Sequence, residues 1–188
     1  MAGEINLLTE WTIALTIMRE RLRRNFVLPN YTPSKWWECD VFELTEAGFF
    51  REYEIKLTIS DFKADAKKSD ILRTGYNRNR QETRRVKHEQ MGQPCGPRQF
   101  WYVCPEGLLL PEQVPIWAGL ITIHDRGADY GPYWRYTERL LKKAPILHQH
   151  GCDPKIKVHA QSVCYYRLHN EWTGGRYTID DLEQGAGI

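Results

Sequence analysis

The sequence lacks paired cysteine motifs and long apolar runs. Its 5 cysteines stand far apart, at positions 39, 95, 104, 152 and 164, and no two of them form a CxxC pair. Because no secretory signal is recognisable near the start either, we expect free thiols and a reducing, cytoplasmic compartment. No apolar segment approaches the roughly 20 residues that a bilayer-spanning helix needs, so we expect neither a membrane span nor a membrane partner.

The sequence also carries little net charge. With 26 Lys and Arg against 24 Asp and Glu, its formal charge is +2, so any affinity for nucleic acid must come from local patches. No internal repeat and no low-complexity linker interrupts the chain. A length of 188 residues is sufficient for a substantial core and predicts a single domain over residues 1–188.

Aromatic side chains are abundant, and basic side chains are concentrated in one segment. The 7 Trp and 10 Tyr indicate either a heavy core or surfaces that stack on bases, for which Trp36, Trp37 and Trp101 are candidates. The polar segment RTGYNRNRQETRRVK concentrates cations that either contact a nucleic-acid backbone or form a solvated helix or loop. These cations are Arg73, Arg78, Arg80, Arg84, Arg85 and Lys87.

The first part of the chain predicts a helix followed by a β-hairpin. Leu8, Trp11, Leu15, Met18 and Leu22 recur at spacings of three and four, which indicates an amphipathic helix over about residues 5–24. The prolines of NFVLPNYTPS predict an irregular connection. WWECDVFEL and FFREYEIKLTI are rich in aromatic and β-branched residues, and the TEAG between them is typical of a hairpin turn.

The rest of the chain predicts further helices and strands. SDFKADAKK begins with a plausible N-cap at Ser60 or Asp61 and continues as a helix. The Arg-rich segment follows as a polar excursion, and FWYVCP and AGLITIHD read as buried strands. From about residue 133 to 172 we expect helices. The order α, β, β, α, β, β, α predicts an α/β or α+β fold with a mixed central sheet flanked by helices.

The hairpin carries charged residues in a pattern that indicates a metal site. Glu54 and Lys56 lie two apart on one strand and therefore share a face, and the hairpin can set Asp40 beside Glu54. Two converging carboxylates repel unless a cation lies between them, and hard oxygen ligands favour Mg²⁺ or Mn²⁺. The alternative is an exposed charge ladder on an edge strand, with Asp40 in a turn.

A lysine beside such a metal ion is suited to phosphodiester hydrolysis. It can orient or help to deprotonate the attacking water, and it can balance the charge that grows on the phosphate. The ion meanwhile polarises the phosphate and activates water. Asp40, Glu54, Lys56 and a divalent ion would together form a sufficient hydrolytic centre.

The segment CDVFELTEAGFFREYEIKLTISDFKADAKK resembles the core motif of the PD-(D/E)xK nuclease superfamily, in particular its MmcB-like DNA-repair and phage-encoded group. The shared pattern runs from an Asp through a hairpin to Glu-x-Lys and an acidic helix. The downstream FWYVCPEGLLLPEQVPIWAGLITIHD is similar to the next two core strands of that group. The resemblance covers about residues 36–125 and implies a restriction-endonuclease-like fold.

The resemblance implies a metal-dependent deoxyribonuclease that hydrolyses DNA phosphodiester bonds with Mg²⁺ or Mn²⁺. Asp40 matches the metal-binding aspartate of the family, Glu54 its second acidic ligand and Lys56 its catalytic lysine. The Arg-rich segment would contact the DNA backbone. The implied role is phage-encoded or related to DNA repair, in the cytoplasm, which for a phage protein is that of the host.

The resemblance also implies a further acidic ligand. Many members of the family add a glutamate from the first helix, for which Glu10 and Glu20 are both available. Glu38 could take its place, because it shares a strand face with Asp40.

Two other functions stay open at this point. One is a catalytically silent DNA-binding accessory on the same scaffold, and the other is a phage protein that binds a host protein through exposed aromatic side chains. Metal-dependent turnover separates a nuclease from both. Cutting both strands of a duplex with one centre per chain needs either two visits or two chains, and in the second case a homodimer is expected.

Overall fold

The computed structural model describes residues 8–74 and 81–174, with side chains except at 72–74, 81–82 and 173. The chain divides into two compact units, the first ending at Cys152 and the second beginning at Asp153. Within the described residues the helices are α1 (Glu10–Arg21), α2 (Ile59–Asp65), α3 (Gly131–Trp134) and α4 (Pro154–Thr173). The strands are β1 (Phe26–Tyr31), β2 (Cys39–Leu44), β3 (Phe50–Ile55), β4 (Ser69–Thr74), β5 (Gln81–Val86), β6 (Gln99–Pro105), β7 (Ala118–Asp125) and β8 (Tyr136–Lys142).

Six strands of the first unit form one mixed sheet in the order β1-β2-β3-β6-β7-β8. β3, β6 and β7 run parallel to one another, and the remaining neighbours are antiparallel. β4 and β5 pair separately as an antiparallel ribbon. The mixed α and β architecture predicted from the sequence is confirmed.

The central strands of the sheet are buried on both faces. Along β6, Trp101 and Val103 belong to a core that includes Ile13 and Ile17 of α1, whereas Phe100 and Tyr102 belong to a second core on the opposite face. In the sequence, strands buried on both faces are near-continuous apolar runs, and FWYVCP is such a run. Charged residues on a strand of this kind are enclosed by protein, which determines the environment of the acids on β3.

Helix α1 buries a different face from the one that its apolar spacing indicated. Ile13 and Ile17 are fully buried, whereas Trp11, Leu15 and Leu22 are about half exposed. Residues two apart on a helix point about 200° apart, so α1 carries two apolar stripes on opposite sides. The stripe with the isoleucines faces the sheet, and of the predicted stripe Leu8 and Met18 pack against the same core while partly buried.

Three segments differ from their sequence-based predictions. NFVLPNYTPS contains β1, whose Pro29 is tolerated because β1 lies at the edge of the sheet, where a missing N–H breaks no central ladder. RYTERLLKK forms edge strand β8 and not a helix, because pairing with β7 outweighs the helix propensity of its residues. The Arg-rich segment contains the end of β4 and all of β5.

The tryptophans considered for base stacking belong to the core. Trp36 and Trp37 are 3% and 6% exposed, and Trp101 is 9% exposed. Their rings are therefore unavailable to a nucleic acid. No helix among residues 8–74 and 81–174 is both long and apolar enough to cross a membrane.

Candidate active site

Asp40 and Glu54 come together across the β2–β3 hairpin. Val41 pairs with Tyr53 in the strand register, and each acid lies one residue beyond that pair. Because side chains alternate along a strand, both carboxylates leave the face opposite to Tyr53. Both line a pocket of about 380 Å³ at the carboxyl end of β3.

The pocket is formed by the start of α1, the adjoining ends of β2 and β3, and α2 with the turn after it. Its lining residues are Glu10, Asp40, Glu54, Ile55, Lys56, Asp61, Ala64, Asp65, Lys67 and Lys68. Eight of these ten carry a formal charge, five of them acidic and three basic. A wall of this composition suits a cation or a phosphate and not an apolar ligand.

The helix glutamate at this pocket is Glu10, and Glu20, which the sequence left open beside it, is a wrong candidate. Glu10 is the first residue of α1 and lines the pocket. Glu20 lies ten residues further along, about 15 Å on a helical rise, where it pairs with Arg19 at 3.0 Å. Glu38 is also a wrong choice, because it is exposed and precedes the first residue of β2 without lining the pocket.

Asp40 is held in an unfavourable electrostatic position. Its Oδ2 accepts a hydrogen bond of 2.6 Å from the backbone N–H of Ile55. Burial first, then the charge of Glu54 and to a smaller extent that of Glu10, raise the pKa of Asp40 from 3.8 to about 7, although that hydrogen bond and Lys56 oppose the rise. A cation bound here would relieve this repulsion.

Glu54 is surrounded by ammonium groups. Its Oε1 accepts from Lys56 Nζ at 3.0 Å and from Lys68 Nζ at 3.2 Å, and its Oε2 accepts from Lys87 Nζ at 2.5 Å. Burial favours the protonated acid, but the lysines, Lys87 first, outweigh it and lower the pKa of Glu54. Glu54 is therefore ionised at neutral pH despite being buried.

Lys87 is an internal residue and not a DNA-binding one. Its side chain is fully buried, and its Nζ lies 2.6 Å from Glu52 Oε1 as well as contacting Glu54. Burial by itself lowers the pKa of Lys87, but the acids, Glu52 first, raise it well above its usual value. The prediction that Lys87 contacts a DNA backbone is wrong, because both buried acids need its charge.

Glu52 completes this internal cluster. Its Oε2 accepts a hydrogen bond of 2.6 Å from Trp36 Nε1. Burial is the main reason that the pKa of Glu52 rises to about 7, with Glu54 adding to the effect and Lys87 opposing it. The face of β3 that carries Glu52 and Glu54 is thus a buried ionic layer behind the pocket.

The remaining cations of the Arg-rich segment differ in how far they are exposed. Arg85 is 8% exposed, its Nη1 donates to Lys35 O at 2.7 Å, and its guanidinium lies 4.5 Å from the Trp37 ring centroid. Because these contacts hold it inside the protein, the prediction that Arg85 contacts DNA is wrong. Arg84 is exposed. Arg78 and Arg80 lie outside the described residues, as does the side chain of Arg73.

Lys56 reaches three carboxylates from the end of β3. Besides Glu54, its Nζ lies 3.3 Å from Asp65 Oδ1 and 3.6 Å from Asp61 Oδ1. Burial opposes the charged form, but these acids, Glu54 first, raise the pKa of Lys56. Lys56 is therefore a protonated, fixed cation at the pocket.

Asp65 anchors Lys56 to the second core. Its Oδ2 lies 2.7 Å from His88 Nε2 and accepts a hydrogen bond of 2.7 Å from the Tyr102 hydroxyl. Burial alone would favour the protonated acid, yet the hydrogen bond with His88, followed by the charges of Lys87 and Lys56, holds the pKa of Asp65 well below its usual value. Asp65 thus joins residues from α2, the segment after β5, and β6.

The start of α2 positions these acids. Thr58 is the N-cap, and its Oγ1 accepts from Asp61 N at 3.1 Å, so the predicted cap at Ser60 or Asp61 is displaced by two residues or more. One helical turn separates Asp61 from Asp65, so both face Lys56. The acidic spacing in SDFKAD was the available sequence signal for them, whereas Lys87, His88 and Tyr102 carried no such signal.

The donor set is compatible with Mg²⁺ or Mn²⁺. Across residues 8–74 and 81–174, no group of three or more His, Cys, Asp or Glu side chains is arranged to hold a metal ion. Mg²⁺ does not require such a cage, since it commonly binds through one or two carboxylates, keeps several waters and takes the rest of its ligands from a phosphate. Glu54 and Glu10, whose charges add to burial in raising the pKa of Asp40, are charges that would also attract a cation.

Comparison with known proteins leaves the function of this chain open. No protein-family model and no curated protein matches it. A solved structure of a protein of unknown function from Silicibacter pomeroyi is similar, with a TM-score of 0.61, 16% sequence identity, and coverage of 93% of this chain and 99% of the other. This similarity shows a shared fold and nothing further.

Proposed function

We propose that the protein is a metal-dependent nuclease that hydrolyses DNA phosphodiester bonds with Mg²⁺ or Mn²⁺. The observation that supports this most directly is the convergence of Asp40, Glu54 and Lys56, together with Glu10, on one ionic pocket. Phosphodiester hydrolysis needs a cation to balance charge on the phosphate and a group that positions water. The acids of the pocket would bind the cation, and Lys56 would position the water.

Each side chain has a defined role in this proposal. Asp40 and Glu54 would hold the ion, and Glu10 would add negative charge to the pocket wall without being a ligand. The ion, when bound, polarises the phosphate and lowers the pKa of water. Because neighbouring acids raise the pKa of Lys56, it would orient water and stabilise developing negative charge as a protonated donor, and would not act as a base.

In this proposal the lysines of the pocket join the predicted contacts of the Arg-rich segment with the DNA backbone, from which the buried Arg85 and Lys87 are removed. Lys67 and Lys68 line the pocket, and Lys67 is exposed. Their ammonium groups would replace counterions around the phosphates next to the scissile bond. Arg84 is exposed on β5 and would extend this contact.

A restriction-endonuclease-like core is the finer fold assignment that accompanies this proposal. The β2–β3 hairpin carries the acids, and β6 and β7 continue the sheet in parallel beside β3. This order supports the fold that the resemblance to PD-(D/E)xK nucleases implies. A phage-encoded or DNA-repair role belongs to the same proposal.

A catalytically silent DNA-binding accessory is the second candidate. The observation that favours it is that both carboxylate oxygens of Glu54 already accept hydrogen bonds from lysine side chains. An ion would have to displace Lys68 or share Oε1 with it, which would weaken metal binding. Such a protein would still bind DNA with a strong salt dependence.

The two candidates are separated by assaying the purified protein on single-stranded, duplex and branched DNA with Mg²⁺ or Mn²⁺. The wild type should cleave at least one substrate, and Lys56→Ala should lose about 10²-fold or more of the rate. Lys63→Ala is the matched control, because Lys63 is exposed on α2 and does not line the pocket. DNA retention without cleavage would support the silent accessory, and equal cleavage by Lys56→Ala would refute the role of Lys56.

A further inference from the structure

The connection between β7 and β8 exposes three aromatic rings. Tyr130, Tyr133 and Trp134 are 48%, 64% and 46% exposed, and we refer to these three side chains as the aromatic surface. Rings of this size are usually buried in a soluble protein, so a cluster of exposed ones marks a binding surface. It is distinct from the ionic pocket, whose wall contains no aromatic residue.

Two contacts join the two ends of this connection. Arg126 N donates to Arg135 O at 2.8 Å, and Arg135 forms a two-pronged ion pair with Asp125, its Nη2 lying 2.7 Å from Oδ2. Gly127 and Gly131 adopt φ values of +97° and +68°, which other residues rarely adopt. The rings are therefore displayed on a defined turn.

Guanidinium groups lie against the rings. Arg126 Cζ is 3.7 Å from the Tyr130 ring centroid, and Arg19 Cζ is 4.5 Å from that of Trp134 and 5.4 Å from that of Tyr133. Arg19 is fixed in place, because its Nη1 donates to Tyr133 O at 2.5 Å. Cations stacked on aromatic rings are the elements with which proteins bind unpaired bases and their phosphates.

An apolar groove of about 450 Å³ adjoins the aromatic surface. Its lining includes Leu15, Met18 and Leu22 together with Tyr133 and Tyr136. It runs along the exposed stripe of α1, and the neighbouring Arg23 and Arg24 are exposed. The groove can cover the flat face of a base while these arginines attract phosphates, a charge complementarity that an apolar peptide would not use.

Helix α1 connects the aromatic surface to the ionic pocket. Glu10, its first residue, lines the pocket, and Arg19 lies against the rings nine residues later, about 14 Å along the helix axis. A strand with stacked bases places one phosphate about every 3.4 Å, so about four nucleotides cover this length. One extended strand can contact both sites.

From these observations we infer that the aromatic surface binds single-stranded nucleic acid by base stacking and guides the strand toward the ionic pocket. The choice of nucleic acid as the ligand rests on the proposed function. The surface selects a single strand, since the bases of a duplex are stacked on each other and cannot reach Tyr133 or Trp134. The substrate class of the pocket is then single-stranded DNA or a duplex end that has opened.

The test measures binding of a short fluorescein-labelled oligothymidylate by anisotropy, with a chelator present so that no strand is cut. Tyr133→Ala and Trp134→Ala should each weaken binding by about fivefold to a hundredfold, the usual loss when a stacking ring is removed. Tyr133→Phe should bind as the wild type does, because the ring remains. Ile116→Ala is the control, since Ile116 is 88% exposed before the first residue of β7, at the other end of that strand.

The outcomes of the binding test are independent of catalysis. Equal binding by wild type, Tyr133→Ala and Trp134→Ala, or tighter binding of a blunt hairpin duplex than of the single strand, would overturn the inference. The same result with a wild type that cuts DNA would leave the proposed nuclease intact. Loss of binding in both ring variants of a protein that cuts nothing would support the inference and refute the nuclease.

Discussion

Lys87 Nζ donates a hydrogen bond of 2.5 Å to Glu54 Oε2, although the two residues lie 33 positions apart. The same ammonium lies 2.6 Å from Glu52 Oε1, and all three side chains are buried. One cation thus compensates two buried acids directly behind the candidate active site. Removing one partner of a buried ion pair leaves an uncompensated charge, which costs far more than the loss of a surface pair.

We predict that Lys87→Met lowers the free energy of unfolding by about 3–5 kcal/mol. Urea denaturation followed by circular dichroism measures this change. Arg84→Met, at an exposed position of the neighbouring strand, should change the stability by less than about 0.5 kcal/mol. Adding Glu52→Gln to Lys87→Met should recover part of the lost unfolding free energy, because it removes one of the two uncompensated buried charges. Wild-type stability of Lys87→Met would contradict the role of this lysine.

We predict that Asp40→Asn stabilises the metal-free protein at neutral and alkaline pH. The pKa of Asp40 is raised from 3.8 to about 7 on folding, so the wild type loses stability as the pH rises between these two values. After a discount for partial exposure, the variant should be about 1–3 kcal/mol more stable near pH 8, with no advantage near pH 3. Urea denaturation at several pH values, with a chelator, measures the difference. An unchanged or less stable variant at pH 8 would show that the ionised Asp40 carboxylate does not destabilise the folded protein.

We predict that Mn²⁺ raises the unfolding temperature of the wild type. An ion at one hundred times its dissociation constant adds about 2.7 kcal/mol to the free energy of unfolding. Asp40→Asn should lose this gain, because the ion loses a charged ligand, and Glu10→Gln should reduce it. Lys63→Ala should keep it. Differential scanning fluorimetry with and without Mn²⁺ gives the answer, and an equal gain in Asp40→Asn would place the ion elsewhere.

We predict that Asp65→Asn lowers the free energy of unfolding at pH 7 by about 2–4 kcal/mol. The pKa of Asp65 is depressed in the folded protein, so its contribution is present above the unfolded pKa and is lost as the pH falls. The deficit should therefore shrink in acid. Tyr102→Phe, which removes only one hydrogen bond to Asp65, should cost about 1 kcal/mol. Denaturation at pH 7 and pH 3 distinguishes the two variants, and an equal deficit at both pH values would argue against an ionised Asp65.

We predict that Gly119→Ala destabilises the sheet by about 1–3 kcal/mol or more. A Cβ at Gly119 would lie 2.3 Å from Trp101 Cε3 and 2.7 Å from Ala144 N, so both a buried ring and backbone would have to move. Gly107→Ala tests a different mechanism, because its cost comes from φ = +81° with open space around the Cβ. Thermal unfolding of both variants measures the costs. A fully tolerated Gly119→Ala would show that the ring moves freely.

The sequence by itself determined the features that depend on neighbours along the chain. The aromatic and β-branched residues of WWECDVFEL and FFREYEIKLTI, with a turn between them, were sufficient to predict a hairpin that can bring Asp40 to Glu54, and the structure contains this hairpin. The acidic helix after Lys56 followed from good helix formers and a nearby cap. These features involve short loops and local periodicity, which a sequence records directly.

Only the tertiary structure decided which charges are inside. Arg85 and Lys87 look like surface cations in the sequence, yet both are buried, because β4, β5 and the residues that follow bring them to Trp37 and to the acids of β3. Glu10 lines the pocket and Glu20 does not, because α1 is fixed against the sheet by its Ile13 stripe and Glu20 lies about 15 Å further along the helix axis. Periodicity defines the faces of an element, but the partner of each face is set by long-range packing, which has no local signature.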